Sequence, residues 1–174
     1  MTKSYKAYLQ DITTFVFDVD GVLTDGTILL TSEGQQLRRM SIVDGYALKT
    51  AVDKGYHICI ISGGTNPGVK ERLNGLGVTD IYLGVRDKTE PFAEFLELHG
   101  VKKEQVVYMG DDVPDIPAMH MAVLPACPQN AVPEVKAISK YVSHKKGGEG
   151  CVRDIIEQVL KVRGDWYTNF DAKN

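Results

Sequence analysis

The sequence predicts an α/β fold: a three-layer, Rossmann-like arrangement with a mostly parallel sheet and a β-hairpin inserted after the first strand. Two observations carry this. Short apolar, β-branched runs alternate with stretches whose apolar residues recur every three to four positions, the pattern of βαβ units. The runs are also continuously apolar, as strands covered on both faces must be.

Taken in order, the strand candidates are TTFVFDV (13–19), HICIIS (57–62), IYLG (81–84), VVYMG (106–110) and AVLPA (122–126). Between them, DGYALKTAVDKG (44–55), PGVKERLNGLG (67–77) and KTEPFAEFLELHG (88–100) read as helices, each closed by a glycine suited to a C-cap. TILLTSEGQQLRRMSI breaks the rhythm, reading as two strands about the turn Ser32-Glu33-Gly34, so a hairpin is expected over about 26–42. HKKGGEG (144–150) is expected to be a flexible polar hinge before the amphipathic helix CVRDIIEQVLKV. The tail from about 144 to 174 is either disordered at its end or docked there by Trp166, Tyr167 and Phe170.

A chain of 174 residues, 43% hydrophobic and 25% charged, suits one globular domain spanning 1–174. A formal charge of -3 leaves no basic footprint for nucleic acid, and no apolar run is long enough to span a membrane. The N-terminus lacks a secretory apolar region, so a cytoplasmic protein with a small-molecule partner is expected. Cys59, Cys127 and Cys151 are odd in number and widely spaced, which suggests reduced thiols in packing roles.

Polar residues gather where such a sheet places its ligand crevice, at the carboxyl ends of the strands. Asp18 and Asp20 follow the first strand, Ser62 the second, Lys88 the third, and Asp111 and Asp112 the fourth. Carboxylates with one lysine and one hydroxyl supply what phosphoryl transfer needs: an oxygen nucleophile, an acid/base, and positive charge for phosphate oxygens. Mg²⁺ would add most of that charge, since it favours carboxylates, waters and substrate phosphate. Covalent catalysis through an aspartyl-phosphate would split a difficult hydrolysis into two displacements. A neighbouring carboxyl at i+2 could protonate the leaving alkoxide and then activate water.

DVDGVLTDG, ISG, Lys88 and GDDVPD, in that order, resemble the four motifs of the haloacid dehalogenase superfamily of phosphatases. The resemblance implies Asp18 as nucleophile, Asp20 as acid/base, Ser62 as hydrogen-bond donor to the phosphoryl group and Lys88 as its charge partner. It implies Mg²⁺ held by Asp18, the backbone carbonyl of Asp20, and Asp111, with Asp112 and Asp115 nearby. Neither interval between motifs has room for a separate cap domain. An uncapped site implies a large substrate or a neighbouring subunit that closes it.

The full DGVLTDG string, the hairpin, SIVDGYALK and GGEGCVRDII are further similar to the 3-deoxy-D-manno-octulosonate 8-phosphate phosphatase family. That resemblance implies a homotetramer whose hairpins associate and whose active sites are shared. It also brings Asp44, Gly45, Gly63 and Arg72 near the substrate, together with Asp20 and Lys88, an arginine suiting the sugar carboxylate. Many members carry an arginine where this chain has Gly64, which leaves a nine-carbon keto-deoxy sugar acid 9-phosphate as the alternative substrate.

Simpler readings are weaker. An EF-hand loop would need an acid or amide at Val22 and a glutamate at Leu29, and a Walker A loop would need a lysine at Val69. A receiver-like signalling module shares the acidic pair, hydroxyl and lysine, but here the phospho-acceptor lies on the first strand with Asp20 poised to drive hydrolysis. A silent assembly domain would not need every catalytic position intact.

Overall fold

The computed structural model describes residues 4–166. Six strands form one sheet in the order β5-β4-β1-β6-β7-β8, every neighbouring pair parallel. They are β1 (Thr14–Phe17), β4 (His57–Ile61), β5 (Asp80–Tyr82), β6 (Val106–Met109), β7 (Leu124–Cys127) and β8 (Tyr141–Val142). The first five match the apolar runs. The edge strand β8 has no such signal, because two residues show no periodicity.

Alternate residues of each strand enter different cores, as the pleat requires. Phe15, Phe17, Ile58, Ile60, Val107 and Met109 pack with α1 (Ile42–Asp53), α2 (Pro67–Gly75) and α6 (Cys151–Arg163). Val16, Cys59, Ile61, Val106 and Tyr108 face the other way, toward α3 (Thr89–His99), α4 (Ile116–Met119) and α5 (Pro133–Ile138). The three layers follow from this division. The three cysteines are free and buried, and among the described residues no helix is long and apolar enough to cross a membrane.

The hairpin is shorter in hydrogen-bonded strand than its sequence suggests: β2 (Leu29–Leu30) pairs antiparallel with β3 (Gln36–Leu37). A bridge from Thr24 to Met40 closes its base. Asn66 ties it to the main body, capping α2 through its Oδ1 while its Nδ2 donates to the Gln36 carbonyl at 2.8 Å.

The segment 144–150 is no hinge. The amide of Gly147 donates to Asn130 Oδ1 and that of Gly148 to the Val22 carbonyl, both at 2.9 Å. A Cβ on Gly147 would lie 1.9 Å from the Gly21 carbonyl oxygen. The glycines that suggest flexibility in sequence instead allow two backbones to touch. Trp166 is packed edge-on to Tyr46 and beside the Arg153 guanidinium, whereas Tyr167 and Phe170 lie outside the described residues.

Candidate active site

Strand β1 lies between β4 and β6, where connections depart to both sides of the sheet, so its carboxyl end opens at the crevice where open α/β folds bind ligands. Asp18 is the first residue beyond it. Its backbone amide still bonds the Met109 carbonyl, and its side-chain Oδ1 accepts from the Val19 amide at 2.7 Å. The chain then turns sharply over 19–23, with Gly21 at φ 92°. A Cβ there would come within 2.0 Å of Asp111 Oδ2, so only glycine lets this turn meet β6's loop. Thr24 Oγ1 accepts from the amides of Gly21 and Gly26 and holds the turn closed.

Lys88 reaches the same point from the start of α3. Its side chain is 6% exposed, and its ammonium stands 3.0 Å from Asp18 Oδ1 and 2.7 Å from Asp115 Oδ1. Burial works to lower the Lys88 pKa, but Asp18 and Asp115 together outweigh it and hold the ammonium above its ordinary value. Asp115 is committed in turn: its Oδ2 accepts from the amides of Asp111 and Asp112. It fixes both the lysine and the loop after β6.

The negative groups are crowded. Asp18, Asp111 and Asp115 bring carboxylate oxygens within 4.8 Å of one another. Burial first, and then the Asp115 charge, push the Asp18 carboxyl up to about 6 despite Lys88. Burial and the charges of Asp18 and Asp115 push Asp111 up to about 7. Asp111 Oδ1 is buried with no hydrogen-bond partner among the described groups. Such an oxygen beside two more carboxylates is what a hard divalent cation would satisfy.

The crevice, about 520 Å³, is lined by Asp18, Asp20, Ser62, Gly63, Gly64, Lys88, Asp111, Asp112 and Asp115. The sequence candidates Asp18, Asp20, Ser62, Gly63, Lys88 and Asp111 therefore come together. Ser62 is buried, and its Oγ accepts from the Gly64 amide at 3.2 Å. Asp112 caps the turn that follows through the Val113 amide.

Asp44, Gly45 and Arg72 do not reach the crevice. Asp44 is buried, accepting from the backbone amides of Gly150 and Arg153, and so caps α6 from α1. Arg72 packs over Gly45 and lines a separate cavity with Leu37, Arg38 and Met40. The first turn of α1, which carries Asp44 and Gly45, faces α6 and the Arg72 side chain of α2 instead of the crevice.

Two basic groups escaped sequence reading. Arg86 lines the crevice, and Arg38, from the end of β3, clamps Asp20: Nε donates to Oδ1 at 2.7 Å and Nη2 to Oδ2 at 3.0 Å. No sequence signal singled out Arg38, because alternation puts Arg38 and Arg39 on opposite faces without saying which faces inward.

A haloacid dehalogenase-like hydrolase model matches residues 42–122. The 3-deoxy-D-manno-octulosonate 8-phosphate phosphatase KdsC of Salmonella typhi is 33% identical over 155 residues, covering 89% of this chain and 82% of that protein. The chain belongs to this family of haloacid dehalogenase-like hydrolases. The crystal structure of the 3-deoxy-D-manno-octulosonate 8-phosphate phosphatase from Yersinia pestis matches with a TM-score of 0.90 at 31% identity, covering 92% of this chain and 86% of that one. The enzyme of the same name from Moraxella catarrhalis, in complex with magnesium ion, phosphate ion and KDO, matches with a TM-score of 0.88 at 31% identity over 92% of both chains.

Membership in this family makes the chain a phosphoric monoester hydrolase that uses Mg²⁺. Its own residues fit that ion: a buried unpartnered carboxylate oxygen and two neighbouring carboxylates, in a crevice open enough for waters and phosphate.

Proposed function

We propose that the chain hydrolyses 3-deoxy-D-manno-octulosonate 8-phosphate to the free sugar acid and phosphate. The observation that carries this reading is Asp18 held rigidly at the crevice floor, 3.0 Å from a buried lysine and among carboxylates that fit Mg²⁺. The relatives' names and the KDO in complex with the Moraxella catarrhalis enzyme supply the substrate.

In this reading Asp18 attacks phosphorus through the carboxylate oxygen not bonded to the Val19 amide, while Lys88 faces the phosphoryl oxygens. The Ser62 hydroxyl, oriented by the Gly64 amide, donates to one of them. Asp20 gives a proton to the departing sugar oxygen and then takes one from the water that cleaves the aspartyl-phosphate. Asp18, the Asp20 carbonyl and Asp111 would hold Mg²⁺, which when bound offsets the charge of the carboxylates and the phosphate dianion. The Asp20 carboxylate is held by Arg38. Asp115 aligns Lys88 and serves the metal loop through backbone amides rather than as a ligand.

The hairpin is the proposed contact of a homotetramer with shared sites. It exposes Ile28, Leu29, Leu30 and Leu37, and the adjoining start of α1 exposes Ile42 and Val43, an apolar surface poorly suited to solvent. A reducing, cytoplasmic setting suits the three buried free thiols. A test of the substrate compares phosphate release from the eight-carbon and nine-carbon keto-deoxy sugar acid phosphates. A kcat/KM at least about tenfold higher for the eight-carbon ester supports the reading, and the reverse preference overturns it.

A further inference from the structure

Arg38 is placed by the hairpin but buried against the catalytic turn, its side chain only 7% exposed. Its Nε–Nη2 edge is fully engaged with both oxygens of Asp20, a fork-to-fork geometry that fixes a carboxylate in orientation as well as position. Its other edge is nearly free: the one hydrogen bond found for Nη1 is a long 3.4 Å donation to the Gln36 carbonyl. Gly64 adjoins the pair, since a Cβ there would crowd Asp20 Oδ2 at 3.2 Å and touch Arg38 Nη2 at an ordinary 3.5 Å.

Gly63 and Gly64, which line the crevice, also line a second cavity of about 400 Å³ beside it. That cavity is lined by Gly34, Gln36, Arg38, Thr65, Asn66 and Pro67 along with the two shared glycines. Among these, Arg38 is the only charged side chain. A phosphomonoester with its phosphate at Asp18 and Lys88 would have to send its alcohol portion past Asp20, and this cavity adjoins that path.

We infer that Arg38 is a two-edged positioning and specificity residue: one edge holds the acid/base Asp20 in place, and the other receives the anionic carboxylate of the leaving sugar acid. The inference rests on the phosphatase reading above and adds to it the group that selects an acidic leaving alcohol. Recognition and protonation of the leaving group then meet on one guanidinium, which a lysine, having charge but no fork, reproduces only in part.

The test uses the full-length enzyme and its Arg38→Gln and Arg38→Lys variants, each checked for an unchanged circular dichroism spectrum. Two measurements are made with Mg²⁺: kcat/KM for a keto-deoxy sugar acid phosphate and for a neutral hexose 6-phosphate, and the dependence of kcat/KM on leaving-group pKa across aryl phosphates. Arg38→Gln should lower the preference for the acidic over the neutral ester by about tenfold or more, mainly through KM, and steepen the leaving-group dependence. Arg38→Lys should restore part of the acid preference while leaving the leaving-group dependence steep. Equal losses on both esters with an unchanged leaving-group dependence would overturn the inference. A wild-type enzyme that cleaves the aryl phosphates but neither sugar ester would instead overturn the substrate assignment, and the aryl series would still decide the Asp20 half.

Discussion

At the scale of single residues, the site is dominated by unfavourable charge that the fold tolerates because a cation and a lysine offset it. Asp18 and Asp111 have carboxyl groups at about 6 and about 7, above their ordinary 3.8. Without metal, the folded chain therefore binds protons more tightly than the unfolded chain between pH ~4 and ~7, and its stability falls as pH rises through that window. Mg²⁺ requires the ionised forms and reverses the penalty. The rise in Tm on adding Mg²⁺ should accordingly grow from pH 5 to pH 8, which thermal unfolding with and without EDTA would measure; a Mg²⁺ effect independent of pH would contradict it. Asp111→Asn should weaken Mg²⁺ binding by about tenfold or more in calorimetry while the metal-free protein becomes no less stable, because the substitution removes a repelled charge. Asp18, Asp20, Ser62 and Asp111 were legible in the sequence because each follows an apolar strand, and Lys88, at the start of α3, because of its place in the order of the motifs. Arg38 was not, since nothing in LRRM says which arginine turns inward, and Asp44 misled because a carboxylate near a motif can cap a distant helix instead.

At the scale of elements, the loop 144–150 and the turn 19–23 form one unit. Gly147 meets Gly21, Gly148 meets Val22, and Cys151 Sγ donates to the Val22 carbonyl at 3.3 Å. The helix α6 thus buttresses the turn that carries Asp18 and Asp20. Gly147→Ala should cost about 2 kcal/mol or more of stability and lower kcat, because its methyl would have to displace the Gly21 carbonyl. Urea unfolding and steady-state kinetics would check this, and a variant with native stability and rate would show that the two segments do not support each other. Long periodic elements such as α1, α3 and α6 could be read from sequence. The four- and six-residue helices α4 and α5 could not, being too short to show a period and set by packing against the sheet.

At the scale of the whole molecule, the sheet order places every candidate catalytic group on one rim and leaves the hairpin standing beside it with exposed leucines. The parallel three-layer body was legible because buried strands must be apolar throughout. The outer edge strand was not, because two residues at a sheet margin need little apolar character. Light scattering at micromolar concentration should give the mass of four chains, and Leu29→Glu with Leu30→Glu should yield a smaller species with a raised KM. A fully active monomer would contradict assembly through the hairpin. The central claim is that Asp18 performs a Mg²⁺-dependent phosphoryl transfer from a sugar acid phosphate. The most direct measurement is phosphate release from 3-deoxy-D-manno-octulosonate 8-phosphate by the wild type and by Asp18→Asn, each with Mg²⁺ and with EDTA. The account predicts turnover by the wild type with Mg²⁺ and, in the other three conditions, losses of about a thousandfold or more with the fold intact. Comparable release by folded Asp18→Asn, or by wild type in EDTA, would contradict it.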